Sequence, residues 1–111
     1  MGSEKLMHDL MVDFLKRKLA GDYKEITVNP GGDPDLVLAN HGLVLANLVV
    51  ETESSLSIAR AEAWKALAQP GVKLIVMLPR GVKVRATEML WEKGISDRVA
   101  LGTYEIAVQM P

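Results

Sequence analysis

Two stretches decide the fold: Gly32-Asp33-Pro34-Asp35-Leu36-Val37-Leu38 and Leu48-Val49-Val50-Glu51-Thr52-Glu53. Each places carboxylates at one end of an apolar, β-branched run, where a buried strand would start or stop. Ionised carboxylates are seldom buried unless they are paired or bind a metal. Asp35, Glu51 and Glu53, brought together by a short hairpin, would offer oxygen ligands to one hard cation such as Mg²⁺ or Mn²⁺. A cation held that way activates water and stabilises a leaving oxyanion, as metal-dependent phosphodiester cleavage requires.

Working outward, Asn40-His41-Gly42 reads as a turn, with Asn40 and Gly42 expected to supply positive φ. Leu43 to about Glu51 is an almost unbroken apolar strand. Such a run predicts burial on both faces, hence a central position in the sheet. Asp35 to Ala39 is the strand before it, and Lys24 to Asn29 the one before that. Pro30-Gly31-Gly32-Asp33-Pro34 interrupts them as a loop.

Leu6, Met7, Leu10, Met11, Phe14 and Leu15 repeat with helical spacing. Residues from about 4 to 20 therefore read as an amphipathic helix, with Ser3 as N-cap and Gly21 as stop. Ser54, Ser55 or Ser57 can cap a second helix over Ile58–Gln69, ended by Pro70-Gly71. Lys73–Leu78 is a fourth strand and Val82–Lys93 a third helix, with Gly94 as its C-terminal cap. Arg98–Val108 holds a final strand, with Gly102 at a bulge or start. The order is αβββαβαβ. The passage from the third strand through a helix to the fourth predicts a right-handed parallel crossover.

The chain has 111 residues, enough for one domain over residues 1–111, and 49% of them are apolar, which excludes a disordered chain. No run suffices to cross a bilayer, and Met1-Gly2-Ser3-Glu4-Lys5 lacks a signal-peptide core, so a soluble protein with no membrane partner is expected. The absence of cysteine excludes disulfides and thiolate metal sites and fits a reducing cytoplasm. With His8 and His41 as the sole imidazoles, zinc is not expected. A net charge of −1 gives no global attraction to phosphate, so nucleic-acid contact would need local positive charge. Lys16-Arg17-Lys18 and Arg80, Lys83 and Arg85 read first as solvated surface.

These residues resemble the PD-(D/E)XK nuclease superfamily, the restriction-endonuclease-like fold. Pro34-Asp35 is similar to its Pro-Asp, and Val50-Glu51-Thr52-Glu53 to its (Asp/Glu)-X-Lys strand, with Glu53 in the lysine slot. The stretches Ala63–Ala68, Leu74–Pro79 and Gly102–Glu105 look like small prokaryotic members. The resemblance covers most of residues 4–107. It implies an α/β fold: an αβββαβ core, a mixed central sheet flanked by helices, and an added helix and C-terminal strand.

The resemblance also implies a Mg²⁺- or Mn²⁺-dependent nuclease acting on DNA or RNA. Asp35 and Glu51 would be metal ligands and Glu53 a third ligand or base. Lys65 on the next helix would supply the missing positive charge. Asp33 would be an auxiliary ligand, and an acid such as Glu4 would sit near the site.

Two departures stand beside this. Glu51 lies sixteen residues after Asp35. A tight turn would put position 47 opposite Asp35 and leave Glu51 about 13 Å along the strand, unless the hairpin is bulged. In a shifted register Val49 takes the first acid's place and the site lacks a ligand. The alternatives are a catalytically inactive module of the same fold that binds nucleic acid or protein, and a homo-oligomeric structural unit. A homodimer or larger assembly is expected in any case from the apolar content of so small a domain. Trp64 and Trp91 read as core or interface anchors.

Overall fold

The computed structural model describes residues 2–30 and 32–105. Its elements run α1 (Gly2–Leu19), β1 (Glu25–Val28), β2 (Leu36–Asn40), β3 (Leu43–Val50), α2 (Ile58–Leu67), β4 (Lys73–Pro79), a 3₁₀ turn (Arg80–Val82), α3 (Lys83–Lys93) and β5 (Val99–Tyr104). The chain is an α/β protein with one mixed five-stranded sheet flanked by helices, its strands in the spatial order β1-β2-β3-β4-β5. β1, β2 and β3 form an antiparallel meander; β3–β4 and β4–β5 are parallel. As the apolar run predicts, β3 lies between β2 and β4.

Strand alternation sorts the core into two layers. Val49, Leu74, Val76 and Leu78 pack with Trp64 of α2 and Met89 and Leu90 of α3. Ala46, Leu48, Val50, Leu36 and Leu38 pack with Val12 and Leu15 of α1. The sheet is thus covered by α1 on one face and by α2 and α3 on the other. Leu36, Leu38, Leu74 and Leu78 are wholly buried, each contributing about 1.5–3 kcal/mol relative to exposure.

Several local details differ from expectation. α1 starts at Gly2, so Ser3 lies within its first turn. The left-handed residues of the β2–β3 turn are His41 (φ 53°) and Gly42 (φ 79°). Asn40 instead ends β2, and its side-chain oxygen accepts from the Lys24 amide at 2.6 Å. α2 is capped at Ser57 without a side-chain bond and ends at Leu67. Gly94 (φ 70°) caps α3 as expected. Gly102 sits in unbroken parallel register opposite Met77, with no bulge. A Cβ there would meet the end of the Met77 side chain, which is flexible enough to move aside. The expected end of the last strand at Val108 lies outside the described residues.

The β2–β3 hairpin carries a bulge. Leu38 pairs with Ala46 but Ala39 with Val44, so Leu45 is an extra residue in β3. With Leu36 opposite Leu48, the register carries Asp35 to Val49 rather than to Asn47. Glu51 is then two positions beyond the partner of Asp35, about 7 Å along the strand.

Candidate functional site

Asp35 and Glu51 are both buried, at 5% and 2% exposure, at adjacent ends of β2 and β3. The Asp35 amide donates to the Leu48 carbonyl at 2.9 Å. Beyond it the carboxylate takes over from the backbone: Oδ2 accepts from the Val50 amide at 2.8 Å, extending the ladder by one side-chain rung. Oδ1 lies 2.9 Å from Nε2 of His8 on α1, whose Nδ1 is 3.0 Å from Asp9. The His8 side chain is 29% exposed.

Glu51 turns to the other helical layer. Its Oε1 accepts from the Ser55 hydroxyl at 2.7 Å. Its Oε2 accepts from Arg60 Nε at 2.8 Å and from the Trp64 indole N–H at 2.9 Å. Arg60 continues past Glu51 to the loop before β2. Nη1 donates to Asp33 Oδ2 at 2.9 Å, and Nη2 to Asp33 Oδ1 at 2.6 Å. This is a forked guanidinium–carboxylate pair. Asp33 sits at φ 51°, in the left-handed region that Asp tolerates better than most residues. The Arg60 hydrogen bonds hold the Asp33 carboxyl below its ordinary value. Asp33, then Glu51, hold the guanidinium above its own. Arg60 thus stands between the Asp33 and Glu51 carboxylates and bonds to both.

Tyr104 closes the end of β3 from two strands away, its hydroxyl donating to the Glu51 carbonyl at 2.6 Å. Burial, then the charges of Glu4 and Glu51, push the Tyr104 phenol up. Glu4, in the first turn of α1, accepts from the Ser54 amide at 3.3 Å and from its hydroxyl, and those bonds lower its carboxyl.

The sequence-derived site residues are therefore distributed. Asp35 is joined to His8, and Glu51 to Arg60, which it shares with Asp33. Glu53 is exposed and borders a second depression, beside Arg80, Arg85 and Glu105. Lys65 is exposed on α2. Arg60 and Trp64 were missed, although their spacing of four on a helix aims both at one point. His8 meets Asp35 from one turn along α1 after Glu4, and that spacing of four in the sequence is the signal for a shared helix face.

A cleft of about 620 Å³ opens beside this cluster, between α1 and the loop before β2. Glu4, Asp9, Asp13, Asp33 and Asp35 line it together with Lys5, His8, Lys16 and Arg60. Acids outnumber bases, a poor match to a polyphosphate backbone.

A hard cation needs oxygen lone pairs turned to a common point. Both Glu51 oxygens already accept hydrogen bonds, and a guanidinium lies against them. Among the described residues no group of three or more His, Asp or Glu is arranged to hold a metal ion.

Compared with protein-family models, curated proteins and solved structures, the chain gives no match. No helix among the described residues is long and apolar enough to cross a membrane.

Proposed function

We propose that this chain is a non-catalytic interaction module built on a nuclease-like α/β fold. One observation carries the reading: the Glu51 carboxylate is fully engaged by Ser55, Arg60 and Trp64. A buried charge held by a guanidinium and an indole is a structural tie, and a cation would have to displace both donors to reach it. The acidic balance of the cleft and Glu53 in the lysine slot favour the same reading. Binding, rather than bond cleavage, is then the work of the surface.

A second reading is favoured by a different observation. Asp35 and Glu51 are buried at neighbouring strand ends, two positions apart in register. In that reading the restriction-endonuclease-like arrangement is complete and active. Arg60 would leave Glu51, Mg²⁺ would take its place, and the domain would cut DNA or RNA.

The deciding experiment incubates the purified protein with linear, branched and single-stranded DNA, and with RNA, in about 10 mM Mn²⁺. The wild type and Glu53→Lys, which restores the resembled motif, are run together. The module reading expects no cutting by either. Cleavage that disappears in Glu51→Ala while the fold persists would establish the nuclease.

A further inference from the structure

The two halves of α1 are held to the sheet by different forces. In the second half, Val12 and Leu15 are buried, at 8% and 6% exposure, in one core with Leu36, Leu38 and Leu48. In the first half no residue from 4 to 11 is buried. Its apolar hold is Met7 and Met11, half-buried unbranched side chains that adapt readily to a changed surface. What fastens it is polar. Glu4 accepts from the Ser54 amide at 3.3 Å and from its hydroxyl, and His8 Nε2 lies 2.9 Å from Asp35 Oδ1. The two contacts are one helical turn apart on the same face. They land on the segments that leave β3 and enter β2, the ends at which Glu51 and Asp35 are buried.

The ion pairs of α1 respect the same division. Lys5–Asp9 closes within the first half at 2.9 Å, and Asp13–Arg17 within the second at 2.9 Å. Among the described residues no side-chain ion pair joins one half to the other. Each half is braced internally, and the backbone ladder of the helix is left to cross Met11–Val12. The first half is also a wall of the cleft: Glu4, His8 and Asp9 line it together with Asp35, Thr52 and Arg60.

We infer that residues 4–10 are a lid on this cleft. They leave the sheet end as one body, bending at Met11–Val12, while residues 12–19 stay packed. Closed, the lid caps Asp35; open, it uncovers that carboxylate and the Val50 face beside it. Segments with few buried apolar contacts open at low free energy, and lids are drawn from such segments. Lifting the first half exchanges two polar contacts for water, whereas lifting the second would bare a core. The inference rests on the attachments of α1 and not on the state of Glu51, so it stands whichever reading of that cluster holds.

Native-state amide exchange of the full chain tests the lid. Amides 7–10 should share one level of protection, at least about 10-fold below that of amides 16–19, and urea up to about 1 M should leave it unchanged, because local opening exposes little surface. Glu4→Ala should lower it at all four amides by one common factor of about 3-fold or more. Because the chain has no cysteine, a single introduced thiol gives a second reading. Val50 and Leu48 share one strand and one core, at 3% and 1% exposure, and Val50 borders the cleft. Val50→Cys should react with a thiol reagent at least about 10-fold faster than Leu48→Cys. The exchange measurements use the wild type, so they decide even where a core cysteine unsettles the fold. A stepwise fall in protection from amide 10 to amide 7 would be ordinary fraying of a helix end and would overturn the lid. So would equal protection and equal urea dependence of the two halves. A Leu48→Cys thiol as reactive as Val50→Cys would mean that the whole helix leaves, and would overturn it equally.

Discussion

The Trp64 indole N–H donates to Glu51 Oε2 at 2.9 Å, between two side chains that are both almost wholly buried. The same oxygen takes Arg60, so one carboxylate ties α2 to the end of β3 through two donors a helical turn apart. Trp64→Phe should cost about 1 kcal/mol beyond its packing change, because a buried acceptor loses one of its two donors. Urea unfolding of Trp64→Phe beside Trp64→Leu separates the hydrogen bond from the ring volume.

Arg60→Ala should destabilise by about 3 kcal/mol, since it strands the buried Glu51 charge. Replacing both partners, as in Arg60→Met with Glu51→Met, should cost less than Arg60→Ala alone, because no buried charge remains. Chemical denaturation of the singles and the double gives the coupling. Equal costs for the double and for Arg60→Ala would contradict the tie.

Stability should fall at both ends of the pH scale, for separate reasons. The folded Tyr104 phenol resists ionisation above its ordinary value of 10.0. Its contribution is whole below pH 10 and is lost as pH climbs through the raised folded value. Tyr104→Phe should flatten the alkaline limb of a melting-temperature profile while lowering its plateau. Asp33 behaves oppositely: its folded carboxyl lies below 3.8, so its contribution is present above that pH and is lost as pH falls through the folded value. The Asp33 side chain is half exposed, so solvent screening leaves this worth under about 1 kcal/mol. Asp33→Asn should remove it from the acid limb.

Removing divalent cations should change nothing. If Arg60 is the resident counter-ion of Glu51, EDTA dialysis and about 10 mM Mn²⁺ should give the same melting temperature, because a cation that does not bind the folded state cannot stabilise it. Lys65→Ala should leave the melt within about 0.5 kcal/mol of wild type, as an exposed helix position does. A Mn²⁺-dependent rise that Glu51→Gln abolishes would reopen the metal-dependent reading.

Gly102→Ala should cost under about 1 kcal/mol, since the new methyl meets only the flexible end of Met77 across the β4–β5 register, which can turn aside. Met77→Ala should recover part of that loss in the double variant. Thermal melts of the three variants test the fit.

Periodicity and punctuation made the element order legible, and the apolar run Leu43–Val50 placed β3 inside the sheet. The buried acids were legible too, because each follows or precedes a β-branched run. Their partners were not. Glu51 meets Arg60 and Trp64 across a loop whose path no local propensity fixes, and Asp35 meets His8 across 27 positions. The bulge at Leu45 shifts the hairpin register by a residue that no glycine marks. Trp64 is a core anchor as expected, while Trp91 is 72% exposed. The two differ because α2 lies face-on to the sheet, whereas α3 turns the Trp91 side outward.

The spatial order of the strands is also their order along the chain. Each new strand is laid on the edge left by the one before, and none has to be inserted between two already paired. The sheet can therefore grow in one direction as the chain leaves the ribosome, from β1 to β5, with loop closures that stay short. α1 precedes β2 and β3 along the chain and packs on the face that they form. β5 then fastens the sheet: Tyr104 reaches back across β4 to the carbonyl of Glu51, so the acidic end of β3 sets only once β5 is in place.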